Sequence, residues 1–228
     1  MRDVSLRLVI FDVDGTLVDS QADILGAMQV AFDSAGLAVP GRADVLGIVG
    51  LSLPVAIARL APDASDALLA QLVEGYKSAY VAMRAKVGAA QSSPLYPGAR
   101  GVLERLHALP DVVLGVATGK SKRGLDKLIE AHGLEPYFVT QQVADFHPSK
   151  PHPSMVLEAM AEAGATPADT VMIGDTSFDM QMAKSAGVCG IGVSWGYHPV
   201  SALGDARHIL EEFDALPDFL SDLWGPLR

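Results

Sequence analysis

The sequence predicts an α/β fold: a parallel sheet with helices on both faces and a separate helical insertion after the first strand. Three observations carry that reading. Apolar runs too short for helices recur at Leu8–Phe11, Val112–Ala117, Thr170–Gly174 and Val188–Val193, as expected of strands buried on both faces. From residue 97 onward these runs alternate with helical patterns, which implies right-handed crossovers and a parallel sheet. Between residues 20 and 93 no strand pattern occurs at all. The first strand is therefore cut off from its sheet partners by a block of helices, and a cap over the strand ends is the simplest place for that block. The expected division is a discontinuous core domain, residues 1–18 and 94–228, with a helical cap domain over 19–93.

The first strand, Leu8-Val9-Ile10-Phe11, ends at Asp12 and Asp14, and Gly15 and Thr16 then turn the chain. Alternation aims the two carboxylates roughly the same way, a costly crowding of like charges unless a cation or a shared proton relieves it. The competing reading makes one Asp a turn former and the other a helix cap. Ser20 with Asp23 three residues on resembles a capping box, and Ile24, Met28, Ala31, Phe32 and Ala35 keep helical spacing up to Gly36. Ser52 and Ser65 can cap further helices, the second carrying Leu68, Leu69, Leu72, Val73, Tyr76 and Tyr80 on one side. Gln91-Ser92-Ser93-Pro94 reads as a linker.

Beyond it come a helix with Val102, Leu103, Leu106 and Leu109, and then the strand 112–117. A helix capped by Ser121 and ended by Gly133 follows, then a short strand near Tyr137–Thr140 and a helix over Pro153–Ala163. The strand Thr170–Gly174, a helix over 177–186 and the strand Val188–Val193 complete the pattern. Composition narrows the function classes. A formal net charge of −10 with no basic stripe argues against nucleic acid or an anionic membrane as partner. No apolar stretch is long enough to span a bilayer, no signal-peptide pattern opens the chain, and the single cysteine, Cys189, excludes an internal disulfide and fits a reducing cytoplasm. Its apolar, glycine-rich surroundings mark a packing residue rather than a nucleophile.

Polar residues of particular kinds sit at the strand ends. The second strand runs into Thr118-Gly119-Lys120, a hydroxyl and an open amide before a helix start. The sequence Ser149-Lys150-Pro151-His152-Pro153 holds a lysine between prolines, and Gly174-Asp175-Thr176-Ser177-Phe178-Asp179 sets two carboxylates four residues apart. Thr118 as a helix cap and Lys150 as a solvated lysine are the bland alternatives. Four carboxylates, a lysine and a threonine at one sheet edge describe a metal-assisted phosphoryl-transfer site. Oxygen ligands without a Cys or His cluster favour Mg²⁺ over zinc.

Asp12-Val13-Asp14-Gly15-Thr16, Thr118, Lys150-Pro151-His152-Pro153 and Gly174–Asp179 resemble, in order and spacing, the four motifs of the haloacid dehalogenase superfamily, whose core is a Rossmann-like sheet. The run Gly192-Val193-Ser194-Trp195-Gly196-Tyr197, with Asp175-Thr176 and Asp179-Met180, is similar to its phosphoglycolate phosphatase branch. The resemblance implies Asp12 as nucleophile, Asp14 as general acid and base, Thr118 and the Gly119 amide as phosphoryl-oxygen donors, and Lys150 as charge compensation. It further implies Mg²⁺ held by Asp12, the Asp14 backbone carbonyl and Asp175, with Asp179 ligating directly or orienting a bound water. Dehalogenases lack the second aspartate, so Asp14 favours hydrolysis of a small phosphate monoester.

Related sugar-phosphate mutases carry a cap arginine just after a serine. In the comparable stretch Gly50-Leu51-Ser52-Leu53, the residue after Ser52 is Leu53, without charge. Gly50 and Ser52 are candidates for substrate contact, or members of an ordinary helix start. A mutase and a non-catalytic phosphate-sensing module are the competing functions. The expected partner is a small phosphorylated metabolite, and the expected state a monomer or homodimer. Trp195 and Tyr197 either line the substrate entrance or pack the sheet edge. His147 and His152 are placed to shape the loop around Lys150, and His107 and His132 to lie on helix surfaces.

Overall fold

The computed structural model describes residues 6–227. Six parallel strands form one sheet: β1 (Arg7–Phe11), β2 (Val112–Thr118), β3 (Phe138–Val143), β4 (Thr170–Gly174), β5 (Cys189–Val193) and β6 (His208–Leu210). Their spatial order is β3-β2-β1-β4-β5-β6. The direction of winding reverses between β1 and β4, and beyond the carboxyl ends of strands at such a switch point α/β sheets place their ligands. The first strand made is thus central, flanked by β2 and β4.

Alternation along β1 divides the core. Val9 and Phe11 join a cluster with α6 (Ala99–His107), α7 (Lys122–His132) and α10 (Leu216–Trp224). Leu8 and Ile10 face the other way, against α8 (Ser154–Ala163) and α9 (Ser177–Ala186). Both faces of the strand are therefore dry, which is why its sequence is uniformly apolar. The expected strands are all present, with β3 running on to Val143 and β2 to Thr118. Strand β6, which extends the sheet, and helix α10, which packs into the α6 and α7 cluster, have no periodic signal in the sequence.

Residues 20–93 hold helices α1 (Gln21–Ser34), α2 (Arg42–Leu46), α3 (Leu53–Leu60), α4 (Asp66–Val87) and the single turn α5 (Ala89–Ser92). The turn occupies part of the expected linker. Ile24, Met28, Phe32, Val45, Ile57 and Leu72 form a hydrophobic cluster of their own, distinct from the two that flank the sheet. Ser65 and Ser121 cap their helices, accepting from the amides of Leu68 and Gly124. Ser20 and Ser52 occupy N-cap positions without a side-chain cap bond. The expected capping box at Ser20 is absent. Its hydroxyl bonds Asp14 instead, and Asp23 takes a hydrogen bond from Ser92.

Candidate active site

The sheet register assembles the site. Phe11 lies opposite Val116 of β2 and Ile173 of β4. Asp12, Thr118 and Asp175 consequently leave three adjacent strands within two residues of one edge. The Asp12 amide extends the ladder by donating to the Ile173 carbonyl at 2.8 Å, so the backbone carrying its carboxylate is fixed by the sheet itself.

Asp12, Asp175 and Asp179 are buried, and one carboxylate oxygen from each lies within 4.8 Å of the others. Lys150, 1% exposed, stands among them with Nζ 2.9 Å from Asp12 Oδ1 and 2.7 Å from Asp179 Oδ1. Asp179 Oδ2 accepts from the Thr176 amide at 3.0 Å and hydroxyl at 2.7 Å, and the Asp179 amide approaches Thr176 Oγ1 at 3.3 Å. A capping box thus starts α9 and also aims Asp179 at the lysine. Thr16 Oγ1 donates to Asp175 Oδ1 at 3.0 Å, and the Tyr197 amide donates to Oδ2 at 2.8 Å. Gly15, at φ +83°, and Gly196 make room for this carboxylate, since a Cβ at either would collide with it.

Three buried carboxylates stand with one lysine, which pairs with two of them, a deficit of two positive charges if all are ionised. Burial pushes the Asp12 carboxyl up to about 7 against the pull of Lys150, with the Asp179 and Asp14 charges adding to the rise. Burial, then Asp179 and Asp12, raises Asp175 well above the carboxylate range. Burial alone would lower Lys150, but the Asp12 and Asp179 carboxylates more than offset it and hold the ammonium charged. Neither carboxylate oxygen of Asp12 has a hydrogen bond of normal geometry, although both are shielded from solvent. An all-oxygen cluster with more carboxylates than cations, in which buried Asp12 Oδ2 has no hydrogen-bond partner, fits a hard divalent cation.

Asp14 lies apart from this cluster. Lys120 Nζ donates to its two oxygens at 2.7 and 2.8 Å, and Ser20 Oγ bonds Oδ1. Burial opposes the Lys120 charge, yet Asp14 outweighs it and raises that lysine above its ordinary range. Tyr197 completes the arrangement: its hydroxyl accepts from the Ser20 amide at 2.9 Å and reaches Asp19 Oδ1 at 3.4 Å. One residue therefore touches both the Asp175 end and, through Ser20, the Asp14 end. Trp195 packs against Phe213 and Tyr96 and donates Nε1–H to the Thr16 carbonyl at 3.1 Å.

Above the strand ends lies a cavity of about 740 Å³ lined by Asp12, Asp14, Thr118, Gly119 and Lys120 from the sheet side and by Val49–Leu53 from the helical insertion. Gly50, at φ +97°, rests on Thr176 and Phe178, and a Cβ on Gly119 would lie 2.6 Å from the Gly50 carbonyl. The Ser52 amide donates to Ser149 Oγ at 2.9 Å, one residue from Lys150. Leu53 lines the same wall without charge. Behind Lys150, His147 bridges Gln142 and Ser154 at 2.8 Å each, and burial lowers its imidazole pKa; His152 Nδ1 accepts from the Ser154 amide. Both histidines brace the loop.

The residues expected from the strand-end motifs, Asp12, Asp14, Thr118, Gly119, Lys150, Asp175 and Asp179, meet at this edge, together with Gly50 and Ser52. Lys120, Ser20, Thr16 and the Tyr197 hydroxyl carry interactions the sequence reading did not assign. Lys120 stood in view beside Thr118, and its distance along the chain from Asp14 left the pairing without a local signal.

Comparison with known proteins agrees with the geometry. The family model for haloacid dehalogenase-like hydrolases matches residues 9–193. A "probable phosphatase IndB" of Dickeya dadantii is 38% identical over 205 residues, covering 88% of this chain and 86% of its own. A phosphoglycolate phosphatase of Vibrio vulnificus is 29% identical, with 97% and 94% covered. Among solved structures, a haloacid dehalogenase-like hydrolase of Streptococcus pneumoniae superposes with a TM-score of 0.80 at 23% identity, covering 94% of this chain and 98% of its own. A β-phosphoglucomutase of Clostridium difficile gives 0.81 at 18%, with 96% of each chain covered; at these identities the likeness speaks for the fold. With the motif residues converging on one sheet edge and the family model spanning most of the sequence, the chain belongs to the haloacid dehalogenase-like hydrolases.

Proposed function

We propose that this hydrolase is a Mg²⁺-dependent phosphatase acting on a phosphate monoester of a small metabolite, in the manner of the phosphoglycolate phosphatases it resembles. The observation that carries the reading is Asp12: a cavity-lining carboxylate with no hydrogen-bond partner of normal geometry, backed by a fully buried lysine that Asp179 holds in place. An Asp12 oxygen attacks phosphorus, the ester P–O bond breaks, and the phosphoryl group rests on Asp12 as an acyl phosphate. Asp14 gives its proton to the departing alkoxide and later takes one from the water that releases phosphate. Thr118 and the Gly119 amide steady the phosphoryl oxygens, while Lys150 offsets their charge from behind Asp12.

Asp12, Asp175 and the Asp14 backbone carbonyl would hold Mg²⁺, with Asp179 beside them. Such a cation supplies charge neutralisation at the transferring group. Both oxygens of Asp179 are already engaged by Lys150 and Thr176, which favours a water-mediated role for that residue. Residues 19–93 act as the cap, and Gly50 and Ser52 contribute its contact with the substrate. Among the described residues no helix is long and apolar enough to cross a membrane. The reading takes the enzyme as cytoplasmic, a monomer or homodimer, and its net charge of −10 argues against nucleic acid or an anionic membrane as partner. A mutase reading has the fold in its favour, but uncharged Leu53 stands where that chemistry wants an arginine. A non-catalytic sensor would have little use for the intact set of motifs.

The test separates the two aspartates. Asp12→Asn abolishes turnover and forms no phosphoenzyme. Asp14→Asn loses about 10²–10⁴-fold on an alkyl phosphate and much less on nitrophenyl phosphate, whose leaving group needs little protonation. Rapid-quench mass spectrometry then finds phosphate on Asp12 in the second variant. Wild-type turnover by Asp12→Asn, or undiminished activity in EDTA, would overturn the assignment.

A further inference from the structure

The far side of the cavity differs in character from its carboxylate edge. Its wall comes from the helical insertion: Met28, Ile48, Leu51, Ala56, Tyr76 and Tyr80. The two tyrosine rings stack at 5.8 Å with 25° between their planes. Arg84 follows one helical turn later, so Tyr76, Tyr80 and Arg84 share one face of α4 at successive four-residue steps. Its guanidinium lies 5.7 Å from the Tyr80 ring centre, and Nη2 is shielded from solvent without a hydrogen-bond partner.

Unpaired buried donors are uncommon, and each asks for an acceptor. The other cations around the cavity are engaged: Lys120 by Asp14, Lys77 by Glu74 at 2.7 Å and Lys127 by Glu130 at 2.6 Å, while Arg123 stands exposed on the rim. Arg84 forms no ion pair among the described residues. Asp23 on α1 is close enough for their charges to interact, yet it takes a hydrogen bond from Ser92 instead. A guanidinium fork suits a planar or tetrahedral anion. The volume matters too. At about 740 Å³ the cavity falls in the range of roughly 300–1,000 Å³ that encloses drug-sized ligands, far more than a two-carbon alcohol fills.

We propose that the leaving group is a ring-sized, largely apolar alcohol with an anionic group at its far end, its body against Tyr76 and Tyr80 and its anion on Arg84. The inference rests on the phosphatase reading for which end of the substrate reacts, and it assigns to Arg84 the selection of substrates.

The test uses the full chain with Mg²⁺ and four probes: phosphoglycolate, benzyl phosphate, 4-carboxybenzyl phosphate and 4-phosphonobenzyl phosphate. Calorimetry on the Asp12→Asn protein measures binding without turnover. The anion-bearing rings should bind about tenfold or more tighter than benzyl phosphate, as a charged hydrogen bond predicts, and the better of the two tells carboxylate from phosphorus anion. Adding Arg84→Gln should erase that preference, with a much smaller loss for benzyl phosphate and an unchanged melting transition. Phosphoglycolate binding as tightly as the anionic rings, or a preference that survives Arg84→Gln, overturns the proposal. If the pattern holds while the wild-type protein turns over none of the four, hydrolysis is the reading that fails and the Arg84 subsite stands.

Discussion

Two lysine–aspartate pairs face the same cavity and are built in opposite ways. Lys150 is sealed beneath Asp12, its side chain 0% exposed and gripped by two carboxylates, one at the end of β1 and one in the first turn of α9. Lys120 sits at the edge of the helical insertion, 8% exposed, paired with an Asp14 that is itself 13% exposed and shares a hydrogen bond with Ser20. The first pair is locked by the sheet, a capping box and burial. The second is tied to Ser20, the residue before α1, where the chain passes from strand end to insertion. A group that must stay put through two chemical steps belongs in the first setting. A group that must exchange a proton with changing partners belongs in the second.

The comparison breaks most visibly through the lysines. Lys150→Met leaves Asp12 and Asp179 without their cation in a dry site. The unfolding free energy should fall by about 3–5 kcal/mol and turnover by at least about 10²-fold. Lys120→Met uncovers a carboxylate that water reaches, so the stability loss should be about 1–3 kcal/mol. Chemical denaturation of both variants gives the order directly. Equal losses would mean the two pairs are not different in kind.

The pH response sharpens the same contrast. Folding raises Asp12 to about 7 and lifts Asp175 as well. In the unfolded chain both titrate near ordinary carboxylate values, so across the interval from about 4 to 7 the folded state binds more protons than the unfolded one. These groups therefore favour the fold at low pH and withdraw that support as pH rises toward 7. A cation in the carboxylate cluster reverses the loss. Thermal midpoints with EDTA and with Mg²⁺ should differ more at pH 8 than at pH 5, and a gap independent of pH would contradict the shared-charge account.

The smallest effect concerns Tyr197. Tyr197→Phe deletes the hydroxyl that accepts from Ser20 but keeps the backbone amide on Asp175. A stability loss of about 1 kcal/mol should come with a several-fold fall in turnover on alkyl phosphates. Nitrophenyl phosphate, indifferent to the proton donor, should show little change. Equal falls on both substrates would assign Tyr197 to the Asp175 end instead.

Legibility in the sequence followed distance along the chain. The aspartates at 12, 14, 175 and 179, with Thr118 and Lys150, lie in short motifs at the ends of apolar runs, where local spacing carries the information. At Ser20 the local pattern, Ser with Asp three residues on, matches a capping box, while its partners are Asp14 and a tyrosine hydroxyl 177 positions away. Lys120 and Asp14 are 106 residues apart, and no periodicity links them. The fold shows the same limit. Strand β6 has three residues, too few for alternation to register, and it is a strand only because β5 offers it an edge.

The central position of β1 reaches beyond the finished enzyme. On the ribosome, Asp12 emerges before β2, Lys150 and β4, which all come after the helical insertion. At about 5–20 residues per second, the nascent chain carries this strand without either sheet neighbour for several seconds, and waits longer still for the lysine. Its four apolar residues are an exposed aggregation hazard for that whole interval. The carboxylates at its end, costly once buried, are at that stage charges flanking the apolar run, which oppose its association. The same aspartates thus stand where gatekeeper charges flank an unavoidable hydrophobic strand.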